Sequence, residues 1–180
     1  VMICSSFPQI NGNGSVTVNA DESSGSKAAP IRFNNVKVTG GFWYDFIKRT
    51  ITTTIPHCVT EVEKPSGGWN NFLEIAKKRD GQSYNYTNRS GDMVFTDSDV
   101  YKTLEAMCIA LQIDAQGDAE IIAGQQSLKA KLDEWVPYIV KAQIPEGQPD
   151  AGYLDAWYEL ACDSGSYRRW SNMSDHELYV

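Results

Sequence analysis

The sequence predicts an all-α fold, and three observations carry that prediction. Apolar residues recur at helical spacing in several separate stretches, turn or cap residues close each stretch, and no strand alternates with helix in the order that builds a parallel sheet. Antiparallel helical hairpins fit this pattern, and bundles of other topology would read the same way.

Residues 1–30 are rich in Ser, Gly, Asn and Asp with almost no apolar pattern, so a flexible lead-in is expected there. Its opening, Val1-Met2-Ile3-Cys4-Ser5-Ser6, reads as the tail of a secretory segment and its cleavage zone, which implies a secreted or periplasmic protein, with a cytoplasmic one as the alternative. Residues 31–38 alternate apolar and polar side chains, as in a short strand or extended arm, before the Thr39-Gly40-Gly41 turn. Residues 42–55 have helical apolar spacing, but the β-branched run 50–54 is a weak helix former that packing must hold. Pro56 need not end this helix.

Pro65-Ser66-Gly67-Gly68 breaks the chain, and residues 69–76 offer a short helix with Phe72, Leu73 and Ala76 on one side. Lys77-Lys78-Arg79 reads as its solvated end. The polar residues 79–92 form a loop long enough to line a binding site.

Residues 95–106 are the most informative stretch. Asp97 and Ser98 suit an N-cap, Asp99 falls where a carboxylate meets the positive end of a helix, and Val100, Tyr101, Leu104, Met107, Cys108 and Leu111 form one apolar face. Capping is the plain account of both aspartates and is compatible with ligand binding. Asp118 caps a second, long helix marked by Ile121, Leu128, Leu132, Trp135 and Ile139, which the interior Pro137 should bend or divide. Residues 144–150 are a loop, residues 152–158 and 167–170 read as aromatic-rich connectors, and a last helix starts near Ser174. The opening of that helix at the end of the chain suggests the N-terminal part of a larger protein.

Composition excludes several functions. A net charge of −7 and a pI near 4.8 argue against nucleic acid as a partner. No apolar run is long enough to cross a membrane. Cys4, Cys58, Cys108 and Cys162 show no paired spacing of a zinc knuckle or redox motif, and Cys108 belongs to a buried helix face. Phosphate loops, His-Glu-x-x-His runs and Gly-x-Ser-x-Gly elbows are absent. Carboxylates, aromatics and two histidines remain. Flat rings beside planar polar groups suit sugars, with Trp69, Trp157, Trp170, Tyr153 and Tyr158 as candidates and core packing as their alternative role. His176, in the first turn of the last helix, stands where ligands commonly sit.

Several landmarks follow one another in a telling order: Phe42-Trp43, Ile55-Pro56, Asn71-Phe72, Phe95-x-Asp97-Ser98-Asp99-Val100-Tyr101-Lys102, Ala142-Gln143, Gly152-Tyr153-Leu154-Asp155, Arg169-Trp170 and His176-Glu177-Leu178-Tyr179. From about residue 31 onward they resemble glycoside hydrolase family 127, the beta-L-arabinofuranosidase group. The resemblance implies a partial (α/α)6 barrel with a short extended N-terminal arm, residues 31–180 being the N-terminal part of its catalytic domain. It implies retaining hydrolysis of L-arabinofuranosides or related plant-type glycans, by a zinc-bound cysteine nucleophile and a glutamate acid/base. These family residues lie later than the sequence reaches, so this stretch supplies no catalytic or metal-binding residue and should be nearly inactive alone. His176 is carried over as a sugar contact, with Asn71, Phe95, Asp97 and Asp99 near the same pocket. The insertion at residues 145–149 and His57 after Pro56 depart from the family pattern. A polysaccharide lyase using Tyr167, Arg168 and Arg169, or a non-catalytic sugar-binding helical module, are the rival readings.

Overall fold

A computed structural model describes residues 31, 35–86, 94–165 and 167–171. Six α-helices occur among them: α1 (Gly41–Arg49), α2 (Ile55–Glu63), α3 (Trp69–Arg79), α4 (Asp97–Ala110), α5 (Ala119–Ala142) and α6 (Ala156–Asp163). No strand occurs among the described residues, so the all-α expectation holds. Residues 36–39 are irregular backbone tied to the helices and pair with no strand among the described residues. Lys37 bridges to Asp114, and Gln116 donates to the Val38 carbonyl. Two such ties fix an arm but make no ladder.

A π-helical segment, Thr50–Thr54, joins α1 to α2 in one continuous rod. Threonines are weak α-formers, and the wider π turn falls immediately before Pro56, which has no N–H to give an α-helical ladder. Thr50 and Thr52 hydroxyls donate to the carbonyls of Phe46 and Lys48, four residues back. The rod buries Ile51, Ile55, Val59 and Val62, all on one side.

The break at residues 64–68 is tight. A Cβ on Gly67 would lie 2.2 Å from the Val62 carbonyl oxygen, and one on Gly68 would lie 2.9 Å from the Thr96 carbonyl oxygen. Only glycine lets this turn close onto α2 and against the approach to α4.

α3 sits among its neighbours, packing on α5, α6, α2 and α4. Phe72 and Ile75 are fully buried, and Trp69 stacks on Trp135 of α5 at 4.5 Å between ring centroids. Of its basic end, Lys77 is exposed as the sequence suggested, but Lys78 and Arg79 are partly buried. Arg79 pairs with Glu159 at 2.7 Å and donates to the carbonyls of Ala142 and Gln143, while Lys78 bridges Glu159 and Asp163. Burial alone would push the Glu159 carboxyl up, but hydrogen bonds from Arg79 and Lys78 hold it below the usual glutamate range. The end of α3 thereby fastens α5 to α6.

α5 is a single helix of 24 residues, capped as expected by Asp118, which accepts from the backbone N–H groups of Glu120 and Ile121. Pro137 does not divide it. Pro137 and Asp133, whose carbonyl loses its partner four residues on, are both on the exposed face, where the orphan acceptor is open to solvent. No helix among the described residues is long and apolar enough to cross a membrane.

α6 corrects a second expectation. Residues 156–163, read partly as connector, are a helix buried along most of its length, with Ala156, Tyr158, Leu160 and Ala161 wholly inside. Ahead of it, backbone bonds Ile144 N to Tyr153 O and Gly152 N to Ile144 O, both 2.9 Å, close the 144–153 loop.

Candidate functional site

The entrances of α4 and α6 meet at a buried pair of carboxyl groups. Asp97 was expected to cap its own helix, yet that helix has Thr96 at its N-cap with no side-chain cap bond. Asp97 turns inward, fully buried, and its Oδ2 accepts from the backbone N–H groups of Ala156 at 2.5 Å and Trp157 at 3.2 Å. It therefore caps α6 across 59 residues of chain. The amide of Asn71, buried on α3, stands 3.5 Å from Asp97 Oδ1. α6 has a cap of its own, since Asp155 Oδ1 accepts from the Tyr158 N–H at 2.8 Å. Two carboxylates thus serve the first turn of one helix, where orphan N–H groups and the dipole favour negative charge.

The electrostatics oppose that attraction. Burial pushes the Asp97 carboxyl up to about 7, against the lowering effect of the Trp157 and Ala156 N–H groups and Asn71. Burial and then the charge of Asp97 push Asp155 up to about 8, against its bonds from Tyr158 and Tyr153 and the charge of Arg169. Like charges in one desolvated site cannot both form cheaply, so near neutral pH the pair retains a proton. Asp97, with backbone donors on one oxygen and Asn71 on the other, is the better placed of the two to carry the charge, and Asp155 to keep the proton.

A polar shell surrounds the pair. Tyr153 donates to Asp155 Oδ2 at 3.4 Å, and Arg169 places its guanidinium carbon 4.4 Å from the centre of the Tyr153 ring. Trp170 meets the same ring edge-on at 5.0 Å between centroids. Tyr101 Oη and Arg169 Nη1 are buried without a hydrogen-bond partner among the described residues. Burial, with Asp97, Asp155 and Tyr153 adding to it, holds the Tyr101 phenol far above its ordinary range.

The sequence-predicted residues fare differently. Asn71 and Asp97 come together but are wholly buried. Asp99 diverges from Asp97, with its side chain 68% exposed and paired to Lys102. Phe95, in the turn before α4, is 40% exposed. His176 lies outside the described residues, as do Ser174 and Cys4. Of the candidate platforms, Trp69, Trp157 and Tyr158 are core residues, Tyr153 is partly buried, and Trp170 stands 43% exposed. Reading for binding residues missed Tyr101, and missed Asp155 as a cap, while Arg169 entered only through the lyase reading. The signal for Asp155 was present: an aspartate immediately before Ala156-Trp157-Tyr158-Glu159-Leu160-Ala161 is a helix start.

Among the described residues no three His, Cys, Asp or Glu side chains converge in a way that could hold a metal ion. Cys58 is an exposed free thiol. The described residues therefore do not fit a zinc centre.

An all-helical domain with buried carboxyls at a helix junction, bordered by an exposed tryptophan and phenylalanine, is the class that fold and site define. The sequence profile of the beta-L-arabinofuranosidase GH127 catalytic domain matches residues 35–180, and the chain belongs to that family of glycoside hydrolases. Comparison with curated proteins and with solved structures returned no match.

Proposed function

We propose that the protein hydrolyses terminal L-arabinofuranosides, or related plant-type glycans, with retention of configuration, and that these helices form part of an (α/α)6 barrel and one wall of its sugar pocket. The family match over residues 35–180 is the observation that carries this reading. His176 contacts the sugar. Phe95 and Trp170 border the junction from opposite chain segments and offer exposed ring faces to the sugar's C–H surface. Asn71 and Asp97 act through position, fixing the first turn of α6 beneath that surface. Asp99 faces solvent and has the weakest claim. Nucleophile, acid/base and zinc belong to residues other than those described, and the protein is exported.

Retaining hydrolysis needs two groups flanking the scissile bond at a separation a sugar can occupy. Asp97 and Asp155 are both buried and both spend their oxygens on the first turn of α6, so they hold the wall rather than flank a scissile bond. The test is release of nitrophenol from a nitrophenyl β-L-arabinofuranoside by the intact enzyme, with the first anomer formed identified by NMR. Retained anomer, together with a rise in KM of about tenfold and a smaller change in kcat for His176→Ala, is expected. Inverted product, unsaturated sugar ends, or binding of arabino-oligosaccharides without turnover would each overturn the activity. An unchanged KM in His176→Ala would overturn the sugar contact. The 180-residue chain alone is expected to release little nitrophenol.

A further inference from the structure

Arg169 is a partly buried cation with a donor left unmet among the described residues. Its Nε lies 3.8 Å from Asp150 Oδ2, beyond hydrogen-bond reach, and its Nη1 is buried with no partner among the described residues. The guanidinium rests on the face of Tyr153, and the hydroxyl of that same ring makes the 3.4 Å bond to Asp155 Oδ2. One aromatic ring therefore separates the unpartnered N–H from the carboxyl.

Among the charged and titratable groups described at this junction, Asp155 is the carboxyl best able to accept from Arg169. Asp97, from α4, already has both oxygens engaged by Ala156, Trp157 and Asn71. Tyr101, also from α4, has a hydroxyl with no partner among the described residues and carries no positive charge. Asp150 is on the loop ahead of Tyr153 and already faces Arg169. A protonated Asp155 gives Arg169 little reason to leave the Tyr153 ring, whereas an ionised one offers a charge-assisted bond in a desolvated site.

We propose that Arg169 is the moving part of a proton-operated latch: when the Asp97–Asp155 junction loses its retained proton, the guanidinium leaves the Tyr153 face for Asp155 Oδ2 and carries the adjacent Trp170 with it. Trp170 is suited to follow. It is the next residue, it touches the same Tyr153 ring, and its backbone sits in the left-handed region at φ 66, which disfavours any side chain but glycine. The latch thus links protonation at the entrances of α4 and α6 to the placement of an exposed aromatic face.

NMR of the purified protein across pH tests this directly, following the Asp155 carboxyl carbon, the Arg169 Nε–Hε pair and the Trp170 indole. All three are expected to move in one common step within about pH 6 to 9. Asp155→Asn, which keeps an acceptor for the Tyr158 N–H, should flatten the Arg169 and Trp170 signals. Arg169→Gln should retain the carboxyl step, raise its midpoint by roughly one pH unit and flatten Trp170. Arg169 and Trp170 signals that stay flat while Asp155 titrates, or a step that survives Asp155→Asn, would overturn the proposal. Should Asp155→Asn fail to fold, the Arg169→Gln midpoint decides, and an unshifted one rejects the latch.

Discussion

Asp97 and Asp99 stand two residues apart on α4 and face opposite worlds, and the difference sets what each substitution should do. Asp97→Ala would strip the buried N–H groups of Ala156 and Trp157 of their acceptor, and unsatisfied buried donors cost about 1–3 kcal/mol apiece. Urea unfolding should show a loss of about 3 kcal/mol, reduced because the substitution also relieves the buried like-charge pair. Asp99→Ala, at an exposed site, should change stability by no more than about 0.5 kcal/mol. Equal effects would mean that Asp97 does not cap α6. The pH dependence follows from the same pair. Folded Asp155, pushed up to about 8 from the ordinary 3.8, holds a proton that the unfolded chain releases between those values. The contribution is fully present below the lower value and is lost as pH rises toward the upper one, so stability should fall across that window. Chemical denaturation at pH 5 and pH 8 should show the drop, and a smaller drop in Asp155→Asn. A stability that rises over the same range would refute the assigned burial.

Helices were legible where a local signal wrote them and illegible where a distant partner did. α4 and α5 declare themselves through apolar spacing, and Asp118 through its place before α5. α6 was half hidden because Tyr153, Trp157 and Tyr158 look like sugar platforms, and only packing separates a core ring from an exposed one. The Lys78-Arg79 end of α3 was misread for a related reason. Its anions come from α6, about 80 residues on, and no periodicity reports an ion pair at that range. The same distance hid the role of Asp97. That long-range fastening yields a prediction at the level of the element. Arg79→Ala should cost about 2 kcal/mol, less than the full penalty for an unpaired buried carboxylate because Lys78 still reaches Glu159. It should also raise the acid midpoint of unfolding, since Glu159 loses the stronger of the contacts that keep it ionised. An Arg79→Ala protein with wild-type urea and acid midpoints would remove α3 as the fastener of α5 to α6.

Across the molecule, burial is unevenly spread, and stability against local opening should follow it. α3 lies among four other helices and sinks Phe72 and Ile75 completely, while α1 has no buried residue at all. Phe42, Trp43 and Phe46 of α1 pack mainly on one another, each more than half exposed. Tyr44 and Ile47 lean on the core, and polar bonds add to that hold: Tyr44 donates to Asp118 at 2.8 Å, and Lys48 bridges Asp118 and Glu120. Those bonds hold the Asp118 carboxyl well below the usual aspartate range, Tyr44 contributing first, and they anchor the middle of α1 to the entrance of α5. Partly exposed ion pairs of this kind stabilise weakly, whereas α3 can open only by exposing the core. Amide hydrogen exchange should therefore release α1 first and α3 last, with protection rising along the rod as Ile51 and Ile55 enter the core. Tyr44→Phe should speed exchange in α1 without changing it in α3, because it removes one tie and no core contact. If α1 amides proved as protected as those of α3, or if Tyr44→Phe loosened both helices together, the molecule would unfold as one unit and the graded picture of its stability would be wrong.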